Sequence, residues 1–467
     1  MELRYTSPTQ IKELVEKQQL YFQSQATKSY QHRIHLLKIL KQLLIENETT
    51  LLKAVHKDLG KNQEEAYITE IVPLLSEISH TIKNLKKWMK PVNVSKPLQL
   101  IGTKNLIIKE PYGVIVIIAP WNYPIQLALS PLIGAIASGN CCMVKPSEIS
   151  SYTSQVLYTL ISTYFQKECV AVVQGDAQTT TTLLKENINY IFFTGGTEVG
   201  KIIQTQAAQR LIPTTLELGG KSPCIIDKNL THLEDALKKI WWGKTINSGQ
   251  TCIAPDFLCV HESQVEKVVS ISKKVLSQMY ASSILEDTNY GKIVSKKHFQ
   301  RLTQFIKNTQ HEDNEIVLGG EFDEKTLKIE PTLVVINNKS TSLMQEEIFG
   351  PILPIIPYNS VDEILSKYRT SYPLALYIFS NSIEFQEQIH TSIQSGGVCI
   401  NDVILHVANN HLPFGGVQTS GVGRYHGKYS FDTFTHEKSI LIRKRFNFNI
   451  RYPPYPSIKT LKRFLKF

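Results

Sequence analysis

No stretch of the chain approaches the roughly 20 consecutive apolar residues of a membrane-spanning helix, and the polar, amphipathic start after Met1 is unlike a secretory signal. Metal-site spacings are missing as well. The cysteines (Cys141, Cys142, Cys169, Cys224, Cys252, Cys259 and Cys399) form no C-x-x-C pair, their number is odd, and the histidines form no H-E-x-x-H. Neither a disulfide framework nor a zinc centre is implied, so the sequence predicts reduced thiols, a cytoplasmic protein and no metal. There is no internal repeat and no low-complexity tract.

The net charge of +10 is not spread along the chain. Lys438, Arg443, Lys444, Arg445, Arg451, Lys459, Lys462, Arg463 and Lys466 all follow the last acidic residue, Glu437, which leaves the body nearly balanced and excludes a basic nucleic-acid face there. In the basic tail, 450–467, Ile458, Leu461 and Leu465 would share one face of a helix, with Phe464 nearby and lysines to the sides. Such a tail either caps the substrate entrance or rests on an anionic membrane surface.

With 467 residues, 42% hydrophobic and 20% charged, the chain exceeds one core and predicts two or three domains. Leu36, Leu37, Ile39, Leu40, Leu43 and Leu44 recur at helical spacing, so 7–59 reads as mostly helix and 64–88 as a second helical stretch. Pro91, Pro97 and Gly102 then break the pattern, and 98–108 reads as an extended excursion. From Val114 to Ile118 a continuous apolar run fits a strand buried on both faces. Strands at 142–144, 170–173 and 190–193 follow with helices between, the alternation of a doubly wound α/β fold.

Ligands in such sheets sit beyond the carboxyl ends of strands. Asn122 follows the first strand, Lys145-Pro146-Ser147-Glu148 the second, and Thr194-Gly195-Gly196-Thr197-Glu198-Val199-Gly200 follows the strand at 190–193. That last segment opens a helix, so its N–H groups can face an anion. A second α/β region begins after Gly220. Within it, Asn247-Ser248-Gly249-Gln250-Thr251-Cys252 presents a thiol on a small, polar turn beside backbone N–H groups, a placement that favours the nucleophilic thiolate. The alternative for a lone cysteine is a small core residue. Glu217, between Leu216 and Leu218 and before Gly219-Gly220, has the apolar neighbours that raise a carboxyl pKa and suit a general base.

Six segments in order, PWNYP, KPSE, FTGGTEVG, LELGGKSP, NSGQTC and EEIFGP, make the chain resemble the aldehyde dehydrogenase superfamily over essentially its whole length. The closing stretch 413–436, with YHGK and FDTF, is similar to the class 3 branch of fatty and aromatic aldehyde enzymes. The resemblance implies oxidation of an aldehyde to its acid. Cys252 would add to the carbonyl, Asn122 and the Cys252 N–H would hold the oxyanion, and Glu217 would activate water against the thioester. It implies NAD, with NADP as an alternative, held by Trp121, Lys145, Ser147, Glu148, Gly195, Gly196, Thr197, Gly200, Leu218, Gly219, Glu347 and Phe349, and an aldehyde tunnel lined by Tyr123, Trp242 and Phe414. An acid at Glu148 would favour NAD. Gly196 departs from the family pattern, which often has Ser there.

By the same resemblance 1–92 and 112–219 form the cofactor domain, 220–419 the catalytic domain, and 93–111 with 437–449 a bridging arm of a homodimer. Two other functions share these features: a semialdehyde-specific or CoA-acylating relative, and a non-catalytic binding protein on the same fold. Glu217 argues against acylation, which needs no water-activating base, and the presence of both Cys252 and Glu217 argues against a non-catalytic protein.

Overall fold

The run Val114–Ile118 carries only β-branched apolar side chains, all buried, and it forms the strand from which the first sheet grows. In the computed structural model, which describes residues 1, 3–97, 100–280, 283–338, 340–443 and 452–465 and omits the side chains of 310, 464 and 465, this strand is β3. It lies parallel to β4 (Cys141–Lys145) on one side and β6 (Tyr190–Gly195) on the other. Beyond β4 comes β5 (Val170–Val172), and beyond β6 come β7 (Thr214–Leu218) and the antiparallel β17 (Gly421–Val422). The chain therefore winds outward from β3 to β5, returns, and continues through β6 and β7. The winding direction reverses between β3 and β6, which opens a crevice at their carboxyl ends.

A second sheet has the order β10 (Glu315–Leu318), β13 (Thr332–Val335), β14 (Ile352–Tyr358), β9 (Phe257–His261), β8 (Pro223–Ile226), β15 (Ala375–Phe379), β16 (Gly397–Ile400), parallel except for β10. A small hairpin joins β11 (Phe322–Asp323) to β12 (Lys328–Ile329). The third sheet pairs β1 (Val92–Asn93), β2 (Thr103–Pro111) and β18 (Thr435–Arg443), all antiparallel, with Thr103 opposite Arg443 and Pro111 opposite Thr435. The fold is thus mixed α/β with two largely parallel sheets and a small antiparallel one.

The helix Gln126–Ser138 follows β3 and is buried from Leu127 onward, which its apolar sequence permits. It stops at Gly139, whose φ of 89° suits glycine. The Arg33 guanidinium packs there, donating to Ala137 O and Thr27 O at 3.1 Å, a cation at a helix carboxyl end. On the other side the Glu77 carboxylate accepts from Ser130 Oγ (2.6 Å), Gly427 N (3.0 Å) and Ser430 Oγ (3.5 Å), so one buried acid joins the N-terminal helices to the closing segment.

Several sequence expectations need adjustment. The helix expected over 7–59 is three helices, Pro8–Gln23, Tyr30–Glu46 and Glu48–Leu59. It breaks where Ser24 and a left-handed Gln25 turn the chain. The excursion at 98–108 begins with residues outside the described set, turns at 100–102 and becomes a strand only at Thr103. The arm's partner starts at Thr435, and 444–449 lie outside the described residues. No helix among the described residues is long and apolar enough to cross a membrane.

Burial pushes the Glu77 carboxyl up from 4.5 to about 7. A carboxyl raised in the folded state contributes stability that is fully present below its unfolded pKa and is lost as pH rises through the folded one. The window is therefore about pH 4.5 to 7, and about 3 kcal/mol is at stake on the scale of 1.36 kcal/mol per unit. Chemical denaturation of wild type and Glu77→Gln across pH 5 to 8 should show wild type losing stability relative to the variant as pH rises; parallel curves would contradict it.

Candidate active site

The crevice at the carboxyl ends of β3 and β6 is a cavity of about 470 Å³, and the loops after β3, β6 and β7 line it together with Cys252, Glu347 and Phe349. Asn122 comes from the turn after β3. Its side-chain amide donates to Gln250 O at 3.1 Å, and its carbonyl accepts from Asn247 Nδ2 at 2.8 Å. An amide has two N–H donors, so the second remains for the cavity.

Cys252 is delivered by a tightly wound turn. After the helix Leu233–Thr245, Asn247 and Ser248 have φ values of 52° and 53° and Gly249 one of 75°, three left-handed residues in succession. A side chain at Gly249 would meet Gly350 O at 2.3 Å, so its absence lets this turn lie against the loop that carries Glu347 and Phe349. The Gln250 amide locks the turn by donating to Asn247 O (2.9 Å) and Lys292 O (3.0 Å) and accepting from Val294 N (3.0 Å).

The electrostatics correct one expectation. Burial, then Glu347 and Glu217, push the Cys252 thiol up to about 12, while the N–H groups of Cys252 and Ile253 pull the other way and are outweighed. Burial and the two acids thus push the thiol away from the thiolate that the N–H groups of its turn favour. Glu217 itself is raised well above 4.5 by burial, and neither of its carboxylate oxygens has a hydrogen-bond partner among the described residues. Burial and Asp256 raise Glu347 to about 8. An added Cβ on Gly219 would meet Glu347 Oε2 at 2.1 Å, so that glycine makes room for the carboxyl.

The other rim of the cavity fits a dinucleotide. The helix Thr197–Ala208 starts from Gly196, which offers no capping side chain, so its first N–H groups are left for an anion. A Cβ on Gly196 would meet nothing within 4 Å; the space a serine would use is open and the hydroxyl is simply absent. Gly200 serves packing, since a Cβ there would lie 2.5 Å from Leu218 Cδ2. Trp121 stands edge-on to Phe349, with ring centroids 5.3 Å apart.

The structure gathers Cys252, Glu217, Asn122, Trp121, Gly195, Gly196, Thr197, Leu218, Gly219, Glu347, Phe349 and Phe414 around this one cavity. Lys145, Ser147 and Glu148 stand at the end of the neighbouring strand β4, outside its lining, with Lys145 Nζ 2.9 Å from Glu148 Oε2 and Ser147 Oγ accepting from Ile149 N. Tyr123 is in the core, its hydroxyl 2.5 Å from Thr251 Oγ1, and Trp242 is partly exposed on its helix, so neither lines the cavity described here. Sequence reasoning missed His298, Arg301, Leu127, Leu374 and Tyr425. The signal for two of them was present, because His298 and Arg301 are three apart on the helix Lys296–His311 and so share a face. Arg301 donates to the carbonyl oxygens of Glu347 (3.2 Å) and Ile348 (2.5 Å).

The description "Aldehyde dehydrogenase family" matches residues 1–440. The 4,4'-diaponeurosporen-aldehyde dehydrogenase of Staphylococcus aureus (strain NCTC 8325 / PS 47) is 44% identical over 449 residues, 96% of this chain and 97% of that protein. The "Aldehyde dehydrogenase, dimeric NADP-preferring" of Rattus norvegicus is 41% identical over 451 residues, 96% of this chain and 98% of that one. A solved structure described as the substrate bound state of Staphylococcus aureus AldH superposes with a TM-score of 0.93 at 42% identity, covering 100% of this chain and 99% of that one. A cysteine facing an unpartnered buried carboxyl beside a dinucleotide cradle agrees with these matches: the chain belongs to the aldehyde dehydrogenase family and is an oxidoreductase that oxidises an aldehyde with NAD or NADP.

Proposed function

We propose that Cys252 is the nucleophile, Glu217 the base and Asn122 an oxyanion donor in the oxidation of an apolar aldehyde to its acid. The Cys252 proton passes to the Glu217 carboxylate as sulfur bonds to the carbonyl carbon, and the oxyanion lies between Asn122 Nδ2 and the Cys252 N–H. Bound nicotinamide dinucleotide supplies the hydride acceptor for the carbon so formed. Glu217, once deprotonated through the cavity, takes a proton from water, the hydroxide adds to the thioester, and the carbon–sulfur bond breaks to release the acid. The observation that carries this reading is the pair of unpartnered Glu217 oxygens in the cavity of Cys252. It also favours hydrolysis over transfer to CoA.

Leu127, Leu374, Phe414 and Tyr425 give the lining an apolar side, which supports a long-chain aliphatic or aromatic aldehyde. The pyrophosphate would rest on the Gly196 turn, with Glu347 on the nicotinamide ribose and Glu148 on the adenosine ribose. The division into a cofactor domain (1–92, 112–219), a catalytic domain (220–419) and a bridging arm (93–111, 437–449) suits the three sheets. Exposed Leu441 and Ile442 on β18 support dimerisation through that arm. Seven free thiols suit the reducing cytoplasm. At the end of the chain the helix Ile458–Leu465 exposes Ile458, Lys459, Lys462 and Arg463, and it is proposed to rest on anionic lipid near the entrance; Lys466 and Phe467 lie outside the described residues.

Glu217→Gln should slow turnover about 10²–10⁴-fold, through thiol activation, thioester hydrolysis or both, and leave a residual slow release of reduced nucleotide, whereas Cys252→Ala should release none while still binding cofactor. Stopped-flow absorbance distinguishes them; near-normal steady turnover by Glu217→Gln would assign the base elsewhere. A carboxylate at Glu148 repels a 2′-phosphate, so wild type should prefer NAD, and Glu148→Gln should shift the kcat/KM ratio toward NADP by about tenfold. A wild-type preference for NADP would count against that placement. Sedimentation with anionic vesicles should show salt-sensitive binding by the intact chain and less by a chain ending at Pro456; equal binding by both, or none, would leave the tail only as a cap.

A further inference from the structure

We propose that the π-helical turn Tyr67–Ile71, with the residues on either side of it, is a brace that holds Asn122 in register with the Cys252 loop, and that Lys61, Glu65 and Glu70 are its positioning residues. The inference rests on the reading of Asn122 as an oxyanion donor.

An α-helix advances about 100° per residue, so side chains five apart diverge by about 140°. Here Val72 N–H bonds back to Tyr67 O, the i→i+5 pattern of a π-turn, which brings residues five apart toward one face. Glu65 and Glu70 consequently both reach the catalytic loops. Glu65 accepts from Asn247 N at 2.8 Å. Glu70 Oε2 accepts from Ile125 N (2.9 Å) and Gln126 N (3.1 Å), the start of the helix that follows Asn122, while its Oε1 lies 3.0 Å from Lys61 Nζ with both side chains fully buried. Lys61 Nζ also reaches Asn122 O at 3.5 Å and lies 4.0 Å from the centroid of the Tyr123 ring.

Asn122 is therefore held at its main-chain carbonyl, at its side-chain amide and through the residue that follows it. Lys61 and Asn247 hold its carbonyl, Gln250 O holds its amide, and Tyr123 next to it is tied to Thr251, the neighbour of Cys252. A buried ion pair adds little stability over apolar residues of the same volume. What this pair adds is direction: one carboxylate and one ammonium fix two main-chain segments that come from different parts of the chain. The π-turn is the local device that aims the acids.

The test is a double-mutant cycle. Lys61→Met with Glu70→Gln in one chain removes the ion pair as a unit and leaves Glu65 as the remaining acid, still accepting from Asn247 N. The pair should lower kcat about 10- to 100-fold while cofactor affinity and the rate of Cys252 alkylation by iodoacetamide, which forms no oxyanion, stay within about twofold. In an Asn122→Ala background the same pair should cost less than about threefold, because the group it positions is gone. Equal losses in both backgrounds, or a parallel loss of cofactor binding and alkylation, would overturn the brace. Should that chain fail to fold, Glu65→Ala, which removes only the hold on Asn247 N, is measured in the same cycle; it should show the same non-additivity, and an additive loss would refute the proposal. Asn122→Ala with undiminished turnover would instead remove the oxyanion role, and the purpose of the brace with it.

Discussion

A carboxyl group with both oxygens buried and without a hydrogen-bond partner costs several kcal/mol if it is charged, and Glu217 has that setting among the described residues, in the cavity that Cys252 also lines. The position follows from the sheet. Glu217 is on β7, paired through its backbone with Gly421 of β17 on one side and Thr194 of β6 on the other, so its main chain is fully committed while its side chain projects into the crevice. The strand supplies rigidity, and the crevice between β3 and β6 supplies the vacancy. Reaction geometry built on strand ends is more exact than on free loops, because every neighbouring strand resists a shift.

The loops that complete the site come from the second sheet and have no such frame, and the structure holds them by strain and strapping. Asn247, Ser248 and Phe349 are left-handed non-glycine residues, each a small cost that persists only when the surroundings leave no alternative. The surroundings are specific. Asp256 accepts from Ile348 N at 2.9 Å, Lys221 bonds Asp256 and the carbonyls of Leu343 (2.8 Å) and Glu346 (2.9 Å), and Arg301 takes the next two carbonyls. Glu347 and Phe349 thus sit on a segment pinned by two cations and one acid.

Much of this was legible in the sequence, for identifiable reasons. The β-branched run at Val114–Ile118 admits almost no other reading, and the alternation after it dictates a parallel sheet with its ligand at the reversal point. Glycines at 195, 219 and 249 do allow close approach, Gly195 to Phe193, Gly219 to Glu347 and Gly249 to Gly350. What escaped notice depends on partners distant in sequence. Tyr425 lines the cavity because it bridges to Phe414 beside β17, and no local pattern announces that pairing. The π-turn at Tyr67–Ile71 is stabilised by what Glu65 and Glu70 meet, not by propensity. The thiol of Cys252 was misjudged because backbone N–H groups can be read from a turn sequence, whereas burial and the two acids from other strands and loops cannot.

That misjudgement matters for how the site works. A thiol raised by burial would give up its proton steeply uphill to a carboxyl in its ordinary range, and burial raises Glu217 as well. Raising the affinity of Glu217 for protons narrows this gap, and the same desolvation that raises the thiol raises the acid. Proton transfer between them is therefore nearer to balance than either group alone would suggest, which is the condition under which a general base is most useful. One physical term, the removal of water from the crevice, raises both groups together, and this is what the proposed roles of Cys252 and Glu217 require.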